Sequence, residues 1–430
     1  MRTLLKNARL LPEYGFGDAL VSVVVEDKKI ARINKVPSVD DFCDEIIDCK
    51  GNLLIPAFYN AHCHVAMTLL RGYGEDLPLQ EWLETRIFPA EDHLNDERVL
   101  IGAKLGIAEM IRGGVVSFTD MYMFEDAVAE AVLETGVKAN LSRSVVSFDE
   151  SVKAEDDSRL AESIALYDRY HGAGEGRILI DFSLHAESTN HATACRYVAE
   201  EAKKRGLRMQ IHLSETQKEH EECKARHGKT PAAFFRDCGV FDLPTTAAHC
   251  VWLEDSDLDI LRDKQVFVAH NPVSNLKLGS GVMPLQKFLD HGLLVALGTD
   301  GAASNNRLDL LREMQAAALI GKGTFRDPAS LAAPKLFALA TENGALSQGR
   351  TDCGRIEVGK RADLVLIDIN TLHNLPVYDP YATLAYSAQS RDVLLTMSDG
   401  RILYKDGEYT SIDEERLKYE FQKTVAHYFD

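Results

Sequence analysis

Residues 245–300 carry the clearest fold signal of the chain and read TTAAHCVWLEDSDLDILRDKQVFVAHNPVSNLKLGSGVMPLQKFLDHGLLVALGTD. The apolar runs TTAAHC, VFVAH and LLVALGTD are typical of strands that are buried on both faces. A polar side chain, His249, His270 or Asp300, lies at or just before the end of each run. Helical segments separate the runs, and this alternation predicts a parallel sheet with helices on its outer side.

Five more strand-like runs precede this stretch and continue the pattern. The predicted strands are 52–58, 115–120, 138–143, 178–184, 208–213, 245–250, 266–270 and 293–300. Eight parallel strands predict a (β/α)8 TIM barrel, in which functional side chains lie at the C-terminal ends of the strands. A doubly wound sheet is the competing fold, but it would gather such side chains at one switch point and not around a ring.

Both ends of the chain show short strands and tight turns instead. The first residues contain the runs TLLKNARLL, LVSVVVEDKKIARI and DEIIDCKGNLLI, and similar runs return after residue 350. Asp-Gly pairs at 399–400 and 406–407 predict hairpin turns there. We expect the two ends to pair into one β domain. The predicted division is 1–54 and 349–412 for this domain, 55–348 for the barrel and 413–430 for a C-terminal helix that docks on the barrel or on a neighbouring subunit.

The composition excludes several classes of function. The chain has 430 residues and a net charge of −18, which argues against nucleic acid and anionic membranes as partners because both require a basic face. The sequence contains no long apolar run and no secretory signal. We therefore expect a cytoplasmic enzyme that acts on a small molecule. The eight cysteines form no C-x-x-C pair, which argues against a zinc ribbon or a disulfide framework.

Histidines and one aspartate at the predicted strand ends form the candidate site. His62 and His64, in NAHCHVAM, are two residues apart on an extended segment, so both imidazoles project to the same side. His212, His249 and Asp300 end three other strands, each inside an apolar run where an unpaired polar side chain would be costly. Imidazole nitrogens together with one carboxylate are typical of a catalytic zinc or iron site.

Glu215 is the candidate general acid and base, since it follows His212 by three residues. A metal ion lowers the pKa of its bound water to about 7, and a nearby carboxylate can then carry the proton to the substrate. Glu215 could also cap the helix expected to begin near Thr216, and the two roles are compatible. His249 and Asp300 are expected to orient the attacking hydroxide and to stabilise its charge.

The sequence resembles the amidohydrolase superfamily and, within it, the methylthioadenosine/S-adenosylhomocysteine deaminases. The resemblance runs through almost the whole chain. The stretches that carry it are PAFYNAHCHVAMTLLRGYGEDLPLQEWLETRIFPAED (56–92), IHLSETQKEHEECKARHGKTP (211–231), TAAHCVWL (246–253), VAHNPVSNLKLGSG (268–281), LGTDGAASNNRLDLLREM (297–314) and GKRADLVLID (359–368). It implies a (β/α)8 barrel with a β-sandwich built from both chain ends.

The resemblance also implies a reaction and a metal site. The reaction is hydrolytic deamination of an adenosine-type nucleoside to its inosine analogue and ammonia. One divalent ion per subunit is implied, Zn²⁺ first and Fe²⁺ or Mn²⁺ as alternatives, with four ligands: His62, His64, His212 and Asp300. Glu215 becomes the proton shuttle to the purine ring nitrogen, and Glu215 and Asp300 are also expected to contact the substrate. Family members are often oligomers, so a homo-oligomer is expected.

Five further residues match substrate contacts of the family. Glu91 falls where the family holds the ribose hydroxyls, and a carboxylate can accept a pair of hydrogen bonds from a vicinal diol. His185 matches a purine contact, and Arg143 and Arg159 match arginines at the far end of the substrate, where a guanidinium fork suits a carboxylate. Arg159 could equally lie on a solvated face. Trp82, expected against the apolar tail of the substrate, could be a core indole.

The sequence departs from the family pattern in two places, and three alternative functions are considered. Cys63 replaces the usual small residue between the paired histidines, and HAESTN beside His185 differs from the common form, which leaves the exact nucleoside open. Deamination of a guanine-like or pterin ring, or hydrolytic dechlorination of a triazine, would not need Glu91. The cytidine-deaminase type of zinc site is set aside because no C-x-x-C completes it. A barrel that has lost catalysis is disfavoured by Glu215 and the retained ligand set.

Overall fold

A computed structural model describes residues 1–35, 43–148 and 156–429. Within these residues, eighteen strands form three sheets. The strands are β1 Arg2–Ala8, β2 Val21–Glu26, β3 Lys29–Asn34, β4 Glu45–Asp48, β5 Leu53–Pro56, β6 Phe58–Cys63, β7 Val115–Tyr122, β8 Lys138–Val145, β9 Ile178–Ile180, β10 Phe182–Leu184, β11 Met209–Leu213, β12 Thr245–His249, β13 Phe267–His270, β14 Leu294–Leu297, β15 Leu364–Ile367, β16 Val393–Ser398, β17 Arg401–Lys405 and β18 Glu408–Tyr409.

Helices follow most of the central strands. They are α1 Leu79–Trp82, α2 Phe88–Glu91, α3 Asp96–Arg112, α4 Glu125–Thr135, α5 Ser158–Tyr170, α6 Ala173–Gly176, α7 Ala192–Arg205, α8 Gln217–His227, α9 Pro231–Asp237, α10 Asp255–Asp263, α11 Pro272–Lys277, α12 Leu285–Asp290, α13 Ala302–Asn305, α14 Leu310–Phe325, α15 Ala333–Ala340, α16 Glu342–Ser347, α17 Pro380–Tyr386 and α18 Glu414–Ala426. Across the described ranges, none of these helices combines the length and the apolarity needed to cross a bilayer.

The largest sheet is the predicted (β/α)8 barrel. Its strands are parallel and follow the order β6, β7, β8, β10, β11, β12, β13 and β14, while β9 extends the β10 position along β8. The segment after β14 closes the ring, because the Thr299 and Asp300 amides donate to the His62 carbonyl at 3.1 and 3.0 Å. The carboxyl ends of all eight strand positions therefore face one mouth.

Two predicted barrel strands differ from the structure at their bounds. The run 52–58 contains two strands: β5, which pairs antiparallel with β15 in another sheet, and the first residue of barrel strand β6. Both strands are fully buried, so the apolar run gives no sign of the change of sheet. The run 178–184 is divided into β9 and β10 at Asp181, a buried carboxylate.

Polar side chains fill the floor of the barrel below the mouth. Asn140 and Gln210 donate to the Asp181 carboxylate from the two neighbouring strands at 3.1 Å. Gln348, which follows α16, donates to the Asn60 carbonyl at 3.1 Å. The Asp181 carboxylate thus accepts from both neighbouring strands, whereas Gln210 Oε1 is buried without a partner among the described residues. The hydrogen bonds that are made fix the positions of the strands.

The two remaining sheets form the predicted β domain from both chain ends. One has the order β3-β2-β1-β4 and the other β18-β17-β16-β15-β5. Their facing side chains, including Leu5, Val23, Leu364 and Met397, belong to one apolar cluster. The predicted Asp-Gly turn at 399–400 joins β16 and β17, with φ of +48° and +72°, values that hairpin turns of this type require.

The C-terminal helix α18 lies against the protein's own α3. Asp413 caps its first turn by accepting from the Arg416 amide at 3.0 Å. Arg98 of α3 donates to the His427 carbonyl at 2.8 Å. The helix thus docks on the barrel, one of the two placements that the sequence left open.

A buried ion cluster links the β domain to the bottom of the barrel. Lys138, the first residue of β8, contacts both oxygens of Asp363 at 2.5 Å and Asp399 at 2.9 Å. Tyr59 of β6 also donates to Asp363. Attraction to Lys138 outweighs the effect of burial and lowers the pKa of Asp363. The C-terminal part of the β domain is thereby tied to two barrel strands, β6 and β8.

We predict that Lys138→Met lowers the free energy of unfolding by about 3–5 kcal/mol, because Asp363 would remain charged and buried without its cation. Denaturant unfolding followed by circular dichroism measures the change. Lys104→Met is the matched control, since Lys104 pairs with the exposed Glu134 at 2.6 Å and such pairs contribute at most about 1 kcal/mol. Equally small changes in the two variants would contradict the prediction.

Candidate metal and acid–base site

Four histidine rings converge at the mouth of the barrel. His62 and His64 come from the end of β6, His212 from β11 and His249 from the end of β12. The ring centre of His62 is 4.9 Å from that of His64, 5.0 Å from that of His212 and 5.6 Å from that of His249. Asp300 follows β14, and its carboxylate lies 3.1 Å from Nε2 of His64.

These side chains form two overlapping groups that could hold a metal ion. One contains His62, His64 and Asp300, and the other His62, His212 and His249. Within each group the candidate ligand atoms lie within 4.8 Å of one another. His62 belongs to both groups, so the side chains surround one point and not two separate ones.

Hydrogen bonds behind the rings turn their Nε2 atoms toward that point. His64 Nδ1 donates to the Met121 carbonyl, and His212 Nδ1 donates to the His185 carbonyl, both at 2.7 Å. Fixing the proton on Nδ1 leaves a lone pair on Nε2, as metal-binding histidines require. Among the residues that the structure describes, none forms a hydrogen bond with the buried Nε2 of His62. A divalent cation would satisfy this orphaned nitrogen, so the donor set fits a metal site.

Asp300 carries a buried negative charge at the centre of the site. Ser274 and Ser304 donate to its Oδ2 at 2.6 and 2.8 Å. Burial would raise the pKa of Asp300, but interactions with His62 and His64 place it well below its usual range. Burial would likewise lower the pKa of His64, yet Asp300 raises it to about 9. The electrostatic potential at the centre of the site therefore favours the binding of a cation.

Glu215 and His249 form an acid–base pair beside the histidine cluster. Glu215 Oε2 lies 3.7 Å from His249 Nε2, and Glu215 Oε1 accepts from Ser280 at 3.1 Å. Burial raises the pKa of Glu215. Burial opposes a charge on His249 as well, but Glu215 and Asp300 raise its pKa. A carboxyl group with a raised pKa takes up a proton more readily than an exposed one, as a group that carries protons requires.

Glu91 is connected to the histidine cluster through Tyr122. The Tyr122 hydroxyl donates to Glu91 Oε1 at 2.7 Å, and the Tyr122 ring centre lies 6.0 Å from that of His64. Burial raises the pKa of Glu91 to about 7. The structure thus places Glu91 at the rim of the site. The second carboxylate oxygen, Oε2, takes no part in the hydrogen bond from Tyr122.

The other predicted substrate contacts lie in three different places. The His185 ring centre lies 5.0 Å from that of His212, so His185 belongs to the site. Arg143 pairs with Glu162 at 2.5 Å, and Arg159 donates to the Val146 carbonyl at 3.0 Å; both lie on the β8–α5 side. Trp82 is buried among apolar side chains of the main core, in agreement with a packing role.

Sequence reasoning missed the residues that orient the site from behind. Ser274 and Ser304 bind Asp300, Asn275 accepts from His249 Nδ1 at 2.8 Å, and Ser280 binds Glu215. All four lie in the stretches NPVSNLKLGSG and DGAASNN. The signal that could have found them was the density of small polar residues directly after the two predicted strands that end in His270 and Asp300.

Comparison with known proteins assigns the chain to a protein family. The model of the amidohydrolase family matches residues 53–403. The chain belongs to the amidohydrolase family. The predicted class, a hydrolase that acts on carbon–nitrogen bonds, is thereby confirmed. The clustered histidine and aspartate ligand atoms agree with the metal dependence of this family.

Individual relatives cover nearly the whole amidohydrolase chain. A 5-methylthioadenosine/S-adenosylhomocysteine deaminase of Acetivibrio thermocellus is 42% identical over 97% of both chains. A 5'-deoxyadenosine deaminase of Methanosarcina mazei is 42% identical over 94% of this chain and 92% of its own. The crystal structure of an adenosine deaminase from Xanthomonas campestris with bound zinc has a TM-score of 0.92 and 30% identity over 99% of this chain and 98% of its own.

We predict that Asp300→Ala abolishes stoichiometric binding of a divalent metal, because it removes the anion that attracts the cation. Ser304→Ala, which removes one donor to that anion, is expected to weaken metal binding about 10- to 100-fold. Elemental analysis after dialysis and competition with a chelator measure both effects. Glu215→Gln should keep its full metal content. Full occupancy in Asp300→Ala would refute the proposed ligand set.

Proposed function

We propose that the protein deaminates an adenosine-type nucleoside, converting it to the inosine analogue and ammonia. The substrate class includes 5'-methylthioadenosine, S-adenosylhomocysteine, 5'-deoxyadenosine and adenosine. The names of the relatives at about 40% identity support this class. The single observation that carries the proposal is the buried Glu215 carboxyl group, with its raised pKa, beside His249 and the histidine cluster.

The ligands of the proposed ion are His62, His64, His212 and Asp300, and the ion we propose is Zn²⁺. When bound there, it would supply Lewis-acid activation of a water molecule. His249 is left out of this set because its Nε2 faces Glu215 at 3.7 Å. Its raised pKa favours the protonated ring, which can stabilise negative charge that develops on the attacking oxygen.

Glu215 performs the proton transfers in this proposal. Its carboxylate accepts a proton from the attacking water and delivers it to ring nitrogen N1, while the water oxygen bonds to C6. Glu215 then moves the remaining proton of the new C6 hydroxyl to the C6 amino group. The bond from C6 to the amino nitrogen breaks, C6 becomes a carbonyl, and ammonia leaves. Water and nucleoside are consumed and ammonia and the oxo-purine nucleoside are released, so atoms and charge balance without another reactant.

Glu91 supplies a contact that distinguishes nucleosides from free bases. One of its oxygens accepts from Tyr122, and its remaining lone pairs can accept from the ribose 2'- and 3'-hydroxyls. A guanine-like base, a pterin or a triazine offers no such diol. Arg143 and Arg159 are proposed to face the 5' end of the substrate. A homo-oligomer and a cytoplasmic location complete the proposal.

The direct test is a substrate panel of the four named adenosines, guanine and a pterin, followed by ultraviolet change and ammonia release with metal-loaded enzyme. Only the adenosines are expected to turn over. Glu215→Gln should lower kcat about 10²- to 10⁴-fold, because it cannot carry the proton, while its metal content stays unchanged. Turnover of free bases alone, or unchanged kcat in Glu215→Gln, would overturn the proposed function.

We predict that Glu91→Gln, assayed above about pH 8 where a carboxyl with a pKa of about 7 is charged, lowers kcat/KM for the preferred adenosine about 10- to 100-fold. A hydrogen bond to a charged group contributes about 1.5–3 kcal/mol. The control is the same nucleoside without its 2'- and 3'-hydroxyls. Both enzymes should process that compound at similar kcat/KM, because the contact is absent from each. An equal loss with both substrates would show that Glu91 does not bind the diol.

A further inference from the structure

A single segment contacts all three proposed acid–base and charge-stabilising groups. Ser274 donates to Asp300 Oδ2 at 2.6 Å, and Asn275 Oδ1 accepts from His249 Nδ1 at 2.8 Å. Five residues later, the Ser280 hydroxyl donates to Glu215 Oε1 at 3.1 Å. The segment 274–280 comprises most of α11 and the turn after it. Three groups from three different strands thus depend on one short piece of chain for their orientation.

Ser280 is itself held on both sides of its backbone. Its amide donates to the Asn275 carbonyl at 2.8 Å. Its carbonyl accepts from the indole nitrogen of Trp252 at 2.7 Å. The Trp252 amide in turn donates to the Ser214 carbonyl at 3.0 Å, one residue before Glu215. These bonds close a loop from Glu215 through Ser280 and Trp252 back to the Glu215 backbone.

Close packing supports this loop at Gly281. The residue has φ of +129°, and a Cβ atom there would lie 3.0 Å from Val251 and 3.3 Å from the Trp252 indole nitrogen. A glycine is therefore needed for the indole to approach the Ser280 carbonyl. Ser280 is 4% exposed, so its hydroxyl has little access to solvent as an alternative partner.

The hydrogen bond from Ser280 gives the two carboxylate oxygens of Glu215 different surroundings. Oε1 is occupied by Ser280, whereas Oε2 points toward His249 Nε2 at 3.7 Å. A carboxylate that rotates freely would present either oxygen, and only some orientations would align with the acceptor nitrogen of a purine. Holding one oxygen removes this freedom before the proton is transferred.

We propose that Ser280 is a positioning residue that holds Glu215 with Oε2 directed to the reacting atoms, and that Trp252 holds Ser280 in place. The proposal rests on the proposed deamination. Ser280 acts through Glu215 and need not touch the substrate. Its loss should therefore slow the chemical step while leaving substrate and metal binding nearly unchanged.

The test compares metal-loaded Ser280→Ala, Trp252→Phe and the double variant with the unaltered enzyme on its best adenosine. Ser280→Ala should lower kcat about 10- to 100-fold with KM changed less than 3-fold and full metal content. Trp252→Phe keeps the ring but loses the N–H donor, so a smaller decrease in kcat is expected. The double variant should be no slower than Ser280→Ala, since both changes break one relay.

Ser347→Ala is the matched control, because Ser347 is also buried but donates to the Gly344 carbonyl at 2.7 Å in α16. It should leave kcat unchanged. Retention of kcat in Ser280→Ala, loss of metal from it, or additive losses in the double variant would each overturn the positioning role. Failure of the proposed function would instead appear in the unaltered enzyme, as no ammonia from any adenosine despite bound metal.

Discussion

The buried charge of Asp300 is the interaction on which the rest of the site depends. A carboxylate removed from water costs several kcal/mol unless cations or hydrogen-bond donors surround it. Two serine hydroxyls bind one oxygen, and His64 lies 3.1 Å from the other. The attraction that raises the pKa of His64 to about 9 is the same attraction that would hold a divalent cation. A buried carboxylate that is unfavourable without a cation therefore favours the binding of a metal ion.

The backbone at the mouth of the barrel is strained where this charge is placed. Ser214, His249 and Asp300 have φ of +46°, +71° and +59°, which are unusual for residues other than glycine. Such conformations cost about 1–3 kcal/mol each and persist only when the surroundings impose them. The Asp300 amide is held by the His62 carbonyl, and the barrel floor fixes the strands beneath. A rigid barrel thus supports strained backbone at the end of its strands.

Residue patterns predicted the barrel and the side chains that meet at its mouth, because buried strands and their terminal histidines repeat along the chain. They did not predict the change of sheet between β5 and β6, since hydrophobicity is continuous through Pro56. Nor did they predict Ser280 or Asn275. A buried serine and a surface serine read alike in a sequence, and only the fold shows that Ser280 faces Glu215.

The geometry separates the reacting end of the site from the end expected to select the substrate. Glu215, His249 and Asp300 share the segment 274–280, so moving one of them disturbs the other two. Arg143 and Arg159 lie instead on β8 and α5. Arg143 contacts Glu162 and the Ser144 carbonyl, and Arg159 donates to the Val146 carbonyl. These partners do not belong to the acid–base network. Under the proposed function, changes on the β8–α5 side would alter the accepted 5' substituent without displacing Glu215, His249 or Asp300.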